Sequence, residues 1–160
     1  MSNIKIVNGN LLDATEEYIA HQCNCITTKS KHLAKQIFDK FPYANTYKKR
    51  TRDKNTHNIP ATIEIMANPQ NKHMHIINMY AQYYPGASKY INDSKQLRLE
   101  WFKQCLNMIG DKDIKHLAMP FRIGSGSARG DWNEYLKLII QFTIKYDCCV
   151  TLYKLEVVDD

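Results

Sequence analysis

The sequence predicts an α/β fold, a three-layer α/β/α arrangement with a mixed central sheet of about six strands. Three features carry that expectation. Strand-like and helix-like segments alternate along the chain. Several strands are apolar at nearly every position, the mark of a sheet covered on both faces. One pair of strands is joined through a short segment that contains a turn-prone tetrapeptide, which could set an antiparallel pair inside an otherwise alternating pattern.

Ile4-Lys5-Ile6-Val7 is a first short strand, ended by Asn8-Gly9-Asn10. Tyr18 to Cys23 is a second, mostly apolar strand. Leu33, Ala34, Ile37, Phe38 and Phe41 then recur at helical spacing, and Pro42 stops that helix. Thr62 to Met66 and His75 to Met79 are two strands joined through Asn68-Pro69-Gln70-Asn71, a hairpin. Tyr83-Tyr84-Pro85-Gly86 begins a long loop. From Ser94 a long helix carries Leu97, Trp101, Cys105, Leu106 and Ile109, with Gly110 suited to its C-terminal end. Leu117 to Pro120 is a short buried strand. A further helix starts near Asp131 or Asn133 with Tyr135, Leu136, Ile139, Ile140 and Phe142, and Cys149 to Tyr153 is the last strand. No repeat or linker interrupts residues 1–160, which predicts one domain.

The formal charge of +6 favours anionic partners. Much of the excess lies in Lys48, Lys49, Arg50, Arg52 and Lys54, which read first as a solvated loop. Five cysteines, an odd count, argue against a disulfide framework. No apolar run approaches the roughly 20 residues that span a bilayer. The expectation is a reducing, cytoplasmic setting without a targeting segment or membrane partner.

Chemistry is expected at two places. The first is the strand, glycine loop and helix from Leu117 to Phe142. Gly124, Gly126 and Gly130 are three of only six glycines, and a loop of that kind lets backbone N–H groups cradle an anion. The spacing fits neither a P-loop nor the dinucleotide fingerprint. Asp131 either caps the following helix or points into the phosphate site, and Trp132 reads as packing. The second place is His21-Gln22-Cys23-Asn24-Cys25, at the carboxyl end of a strand where ligands collect. Asn24 can donate to and accept from sugar hydroxyls. His21 is either a general acid or base or a hydrogen-bonded core histidine. Cys23 and Cys25 read as packing residues. His73 and His75 lack a third ligand, so no metal site is expected.

Taken in order, Val7-Asn8-Gly9-Asn10-Leu11-Leu12, Ile19 to Cys25, Met119 to Gly126 with Gly130-Asp131-Trp132, and Thr151 to Leu155 resemble macro domains over nearly the whole chain. The nearest subgroup resembles the ADP-ribose 1″-phosphate phosphatases, which carry His-x-Cys-Asn-Cys and a Gly-x-Gly…Trp loop. The resemblance implies a ligand-binding set of Asn10, Leu11, Asn24, Ile123, Gly124, Ser125, Gly126, Ser127, Ala128, Gly130 and Tyr153. Asn10 stands where an aspartate commonly recognises adenine, Tyr153 where an aromatic ring stacks on it, and Asn24 beside the distal ribose. The loop from Gly124 to Gly130 would wrap the phosphates. Three departures stand out. The first phosphate loop, Thr27 to Leu33, has no glycine, although Lys29, Lys31 and the hydroxyls could compensate. Ser125 replaces a frequent cysteine. The lysine and aspartate of relatives that release ADP-ribose from glutamate fall near Met79 or Tyr80 and at Ala128.

The implied function is ADP-ribose binding, with hydrolysis of ADP-ribose 1″-phosphate by His21 and Asp131 as the catalytic pair. The alternatives are a reader without catalysis and a hydrolase removing ADP-ribose from proteins. The implied partners are ADP-ribose, its 1″-phosphate, or an ADP-ribosylated protein. No cofactor is implied, and nucleic acid ranks low as a partner.

Overall fold

The computed structural model describes residues 2–70 and 73–155. Six strands form one sheet: β1 (Ile4–Asn8), β2 (Tyr18–Gln22), β3 (Ile63–Met66), β4 (His75–Met79), β5 (His116–Pro120) and β6 (Cys149–Lys154). Their order is β1-β6-β5-β2-β4-β3. All neighbours run parallel except β3, which pairs antiparallel with β4 at the edge. Among the described residues three α-helices cover it: α1 (His32–Lys40), α2 (Lys95–Gly110) and α3 (Trp132–Tyr146). The mixed three-layer architecture is the one the alternating pattern predicts. Asn71, in the turn expected between β3 and β4, lies outside the described residues.

The sheet has two cores because its strands alternate faces. Ala20, Ile77, Leu117, Met119, Val150 and Leu152 pack under α2 and α3 with Phe102, Leu106, Ile109, Ile139 and Phe142. Ile19, Ile76 and Ala118 point the other way, onto Ile37 and Phe38 of α1 and onto Leu11, Ala44 and Tyr47. Neighbouring pairs such as Ile76/Ile77 and Ala118/Met119 thus serve opposite layers.

Two helix details differ from expectation. The buried stripe of α2 is Arg98, Phe102, Cys105, Leu106 and Ile109, while Leu97 and Trp101 are only half-buried. Arg98 reaches the interior because it forms an ion pair with buried Asp93 at 2.6 Å. Gly110 is the last residue of α2, but it is needed for closeness rather than for a left-handed cap. A Cβ there would fall 2.4 Å from the ring of Tyr146 on α3.

This topology decides where a ligand can sit. β2 and β5 are adjacent and parallel. The chain leaves β2 for α1 on one face and leaves β5 for α3 on the other. Such a reversal opens a crevice at the carboxyl ends of the two strands.

Candidate ligand-binding site

A cavity of about 770 Å³ fills that crevice. Gln22 and Pro120, the last residues of β2 and β5, line it. One wall is the segment after β2: Asn24, Thr27, Lys29, Lys31 and the first turn of α1. A second is Phe121 to Gly124 and Gly126 to Ala128, after β5. Gln82, Pro85 and Gly86, after β4, contribute a third.

The first two walls both present backbone donors. In the second wall, N–H groups of Ile123, Ser125, Arg129 and Gly130 bond within the loop. Those of Gly124, Gly126, Ser127 and Ala128 have no acceptor among the described residues. All four of these residues line the cavity. The glycines have distinct roles. Gly124 has φ +76°, and a Cβ there would meet the Tyr135 ring at 2.4 Å. At Gly130 it would meet the carbonyl oxygen of Gly124 at 2.5 Å. Around Gly126 nothing lies within 4 Å of an added Cβ, so its missing side chain leaves room for a ligand rather than for the protein.

In the first wall, α1 begins without any side-chain cap on its N-terminal N–H groups. His32, Leu33 and Ala34 line the cavity, so this positive helix end is directed at it. Lys29 and Lys31 add side-chain charge on the same side. The loop turns without glycine because His32 itself adopts a left-handed φ of 55°.

Asn24 is held in one orientation. Its Oδ1 accepts from the N–H of Ile26 (3.1 Å) and Thr27 (3.0 Å), the Thr27 hydroxyl (3.0 Å) and an Arg50 N–H (3.1 Å). Four donors on one atom fix which end of the amide is oxygen. The Nδ2 group is left without a partner among the described residues, and Asn24 lines the cavity. It is a donor ready for a hydroxyl.

Of the other residues singled out from sequence, the cavity takes Ile123, Gly124, Gly126, Ser127 and Ala128. Asn10, Leu11, Ser125, Gly130 and Tyr153 do not line it. Asn10 Oδ1 accepts from the Leu12 N–H at 3.0 Å, capping a short helical turn, and Leu11 is in the core. The Tyr153 hydroxyl donates to the Glu16 carboxylate at 2.7 Å. These three sit at the ends of β1 and β6, one strand beyond the cavity wall, where the Tyr153 carbonyl accepts from Phe121 N–H. The Ser125 hydroxyl faces the carbonyl oxygen of Ile123 at 3.5 Å.

The expected catalytic pair is placed elsewhere. His21 is 1% exposed and lies beneath α1. Its Nε2 donates to Asn78 Oδ1 at 2.7 Å, and its ring meets Phe38 edge-on. Burial pushes the imidazole pKa down to about 4, against the Asn78 hydrogen bond, so it is neutral at physiological pH. Asp131 is the N-cap of α3, accepting from the Asn133 N–H at 3.0 Å, and is exposed. In both cases the structural alternative holds: a hydrogen-bonded core histidine and a helix cap. Trp132 packs on Phe121, as expected. Burial likewise raises the thiols of Cys23 and Cys25, the latter to about 12, and keeps both protonated.

Two further residues belong to the site. Gln22 lines the cavity, donates to Gln82 Oε1 at 2.8 Å, and has a buried Oε1 without a partner among the described residues. Its place beside His21 at a strand end was the available signal. Arg50 is the other, and it corrects the solvated-loop reading of the basic run. Lys48, Lys49, Arg52 and Lys54 are exposed, but Arg50 is 4% exposed and bonded to the first wall. Nothing in a run of cations marks the one that turns inward.

Fold and cavity together define an α/β protein with a crevice, lined in part by backbone N–H groups without acceptors among the described residues, at the strand switch point. The chain has the macrodomain fold. Over 98% of its length it matches the macrodomain of Mycobacterium tuberculosis DarG, covering all of that chain at 20% identity with a TM-score of 0.73. The Thermus aquaticus DarG macrodomain is similar over 96% of this chain and 98% of its own, at 18% identity and a TM-score of 0.69. Thermosipho africanus DarTG in complex with ADP-ribose is similar over all of this chain and 44% of its own, at 17% identity and a TM-score of 0.64. No protein-family model matches the sequence, and no curated protein matches it.

Proposed function

We propose that the protein binds ADP-ribose or a close derivative of it in this cavity. The observation that carries the reading is the pair of facing donor sets: the uncapped start of α1 on one side, and the free N–H groups of Gly124, Gly126, Ser127 and Ala128 on the other. Between them they suit a diphosphate. Asn24 Nδ2 is the donor for the distal ribose. Tyr153, Asn10 and the Leu11 backbone lie beyond Phe121 and would serve the adenine. The similarity to the ADP-ribose complex of Thermosipho africanus DarTG supports the choice of ligand.

Binding is the reading the geometry favours over hydrolysis of ADP-ribose 1″-phosphate by His21 and Asp131, because neither side chain lines the cavity. A ligand at a hundredfold excess over Kd stabilises by about 2.7 kcal/mol, roughly 5–10 °C for a domain of this size. ADP-ribose is expected to raise the melting temperature by that order, and AMP by much less. An unchanged melting temperature at millimolar ADP-ribose would remove the proposal. Phosphate release from ADP-ribose 1″-phosphate that disappears in the H21A/D131A variant would restore the phosphatase reading.

A further inference from the structure

The molecule buries two arginines in very different ways. Arg98 is 2% exposed and faces a carboxylate: Asp93 accepts from its Nε at 2.9 Å and from its Nη2 at 2.6 Å. Arg50 is 4% exposed and has no carboxylate within ion-pair distance among the described residues. Its five N–H groups go to neutral oxygens. Nε and Nη2 donate to Asn58 Oδ1 at 3.1 and 2.7 Å. Nη1 donates to Asn24 Oδ1 at 3.1 Å and to the Thr27 carbonyl at 3.0 Å. Nη2 also donates to the Asn24 carbonyl at 2.7 Å. Glu64 is reached through Asn58, whose amide donates to it at 3.0 Å, and through Tyr80, whose ring centre lies 5.7 Å from the guanidinium and whose hydroxyl donates to the same carboxylate. The guanidinium lies over the Tyr47 ring, 4.2 Å from its centre.

The residues it holds are cavity residues. Asn24, Thr27 and Tyr47 all line the cavity, and Arg50 stands one layer behind them. A buried charge without a counter-ion is costly unless something compensates it. Here the open side of that layer is the cavity wall formed by Asn24, Thr27 and Tyr47. Arg50 also supplies one of the four donors that fix Asn24 Oδ1, while Nδ2 of this cavity-lining residue has no partner among the described residues.

We propose that Arg50 is a positioning residue that sets the ligand specificity of the cavity. It locks Asn24 with its amide donor toward a distal sugar, and it supplies the unpaired charge behind the wall that a diphosphate completes. The class of ligand selected is a nucleoside diphosphate that carries a second sugar, over the nucleoside diphosphate alone. The inference rests on the ADP-ribose reading above and deepens it.

The test is titration calorimetry of ADP-ribose, ADP and adenosine against the wild type, R50K and R50M, with melting curves to establish folding. In R50K the charge is kept but the fork is lost. The preference for ADP-ribose over ADP is expected to fall about fivefold, the scale of one lost hydrogen bond. In R50M both diphosphate ligands weaken by about tenfold or more, while adenosine is unchanged. A purely structural role would weaken all three ligands in proportion. A folded R50K that keeps the ADP-ribose to ADP preference within about twofold of wild type overturns the proposal. Should neither variant fold, the Arg50 Nε–H resonance of the wild type decides, assigned through its side chain. It is expected to shift on saturation with ADP-ribose and to stay fixed with adenosine, and an unshifted resonance overturns the proposal. A wild type that binds neither ADP-ribose nor ADP overturns the functional reading itself, a result distinct from one in which binding persists and only the preference is indifferent to Arg50.

Discussion

Gly124 and Gly126 stand two residues apart in one loop, and alanine is expected to act on them in opposite ways. At Gly124 the backbone has φ +76°, where a side chain costs about 1–2 kcal/mol. The added methyl would also lie 2.4 Å from the ring of Tyr135. That ring is 2% exposed and packed against Phe102 at 4.8 Å between centroids, so it has nowhere to retreat. Overpacking of this kind costs about 1–3 kcal/mol. Together the two effects give about 2–5 kcal/mol, a lowering of the melting temperature by roughly 4–20 °C for a domain of this length. At Gly126 no heavy atom lies within 4 Å of an added Cβ, so the variant is expected to melt within about 2 °C of wild type. Its methyl instead enters the ligand's space and weakens ADP-ribose by about tenfold or more. Paired melting curves and calorimetric titrations measure both. A G124A protein as stable as wild type, or a G126A protein less stable than G124A, would refute the assignment of one glycine to packing and the other to the ligand.

Removing Asp93 strands the Arg98 guanidinium in the interior, and D93A is expected to lose about 3–5 kcal/mol by urea denaturation. D131A loses a helix cap and about 1 kcal/mol, while ADP-ribose affinity in calorimetry stays within about twofold. The His21 imidazole titrates near 4 in the folded protein against an ordinary value of 6.5. The unfolded chain therefore binds the extra proton between those limits. Stability is complete above about pH 6.5 and declines by about 3 kcal/mol on acidification toward pH 4. In H21Q this slope is expected to disappear from melting curves taken across that range, and persistence of the full slope would locate the acid sensitivity elsewhere.

Most of the fold was legible because the strands and helices carry strong local patterns. β4 has the bounds its apolar run suggests, and Ser94 and Asp131 stand at helix starts as N-caps, accepting from Leu97 and Asn133. The second cavity wall was legible for a similar reason: three glycines in seven residues have few uses other than close backbone approach. What was not legible depended on which way a side chain turns. His21 and Asn24 share a strand end, yet one is sealed under Phe38 and the other opens on the cavity. Trp101 and Phe102 are neighbours on α2, and the phase of the buried stripe is set by Arg98, whose partner Asp93 is read only in three dimensions. Arg50 is hidden in a basic run for the same reason.

The first wall shows how side chains can do the work that glycine does in the second. This loop has no glycine, and His32 takes the left-handed conformation in it, at a cost of about 1–2 kcal/mol. The conformation persists because the loop is pinned on its inner side. Asn24 Oδ1 collects four donors, and Arg50 holds the Asn24 and Thr27 carbonyls as well. A glycine-rich loop at this position would be free to approach a phosphate but would lose conformational freedom on doing so. A loop clamped by a buried guanidinium has already lost that freedom in folding. Less ordering is then left to oppose binding, which is the ordinary gain of preorganisation. The same clamp narrows what can be bound, since Asn24 cannot turn its oxygen outward without abandoning four hydrogen bonds. The departures from a glycine-rich first loop therefore point to a more selective cavity rather than a defective one.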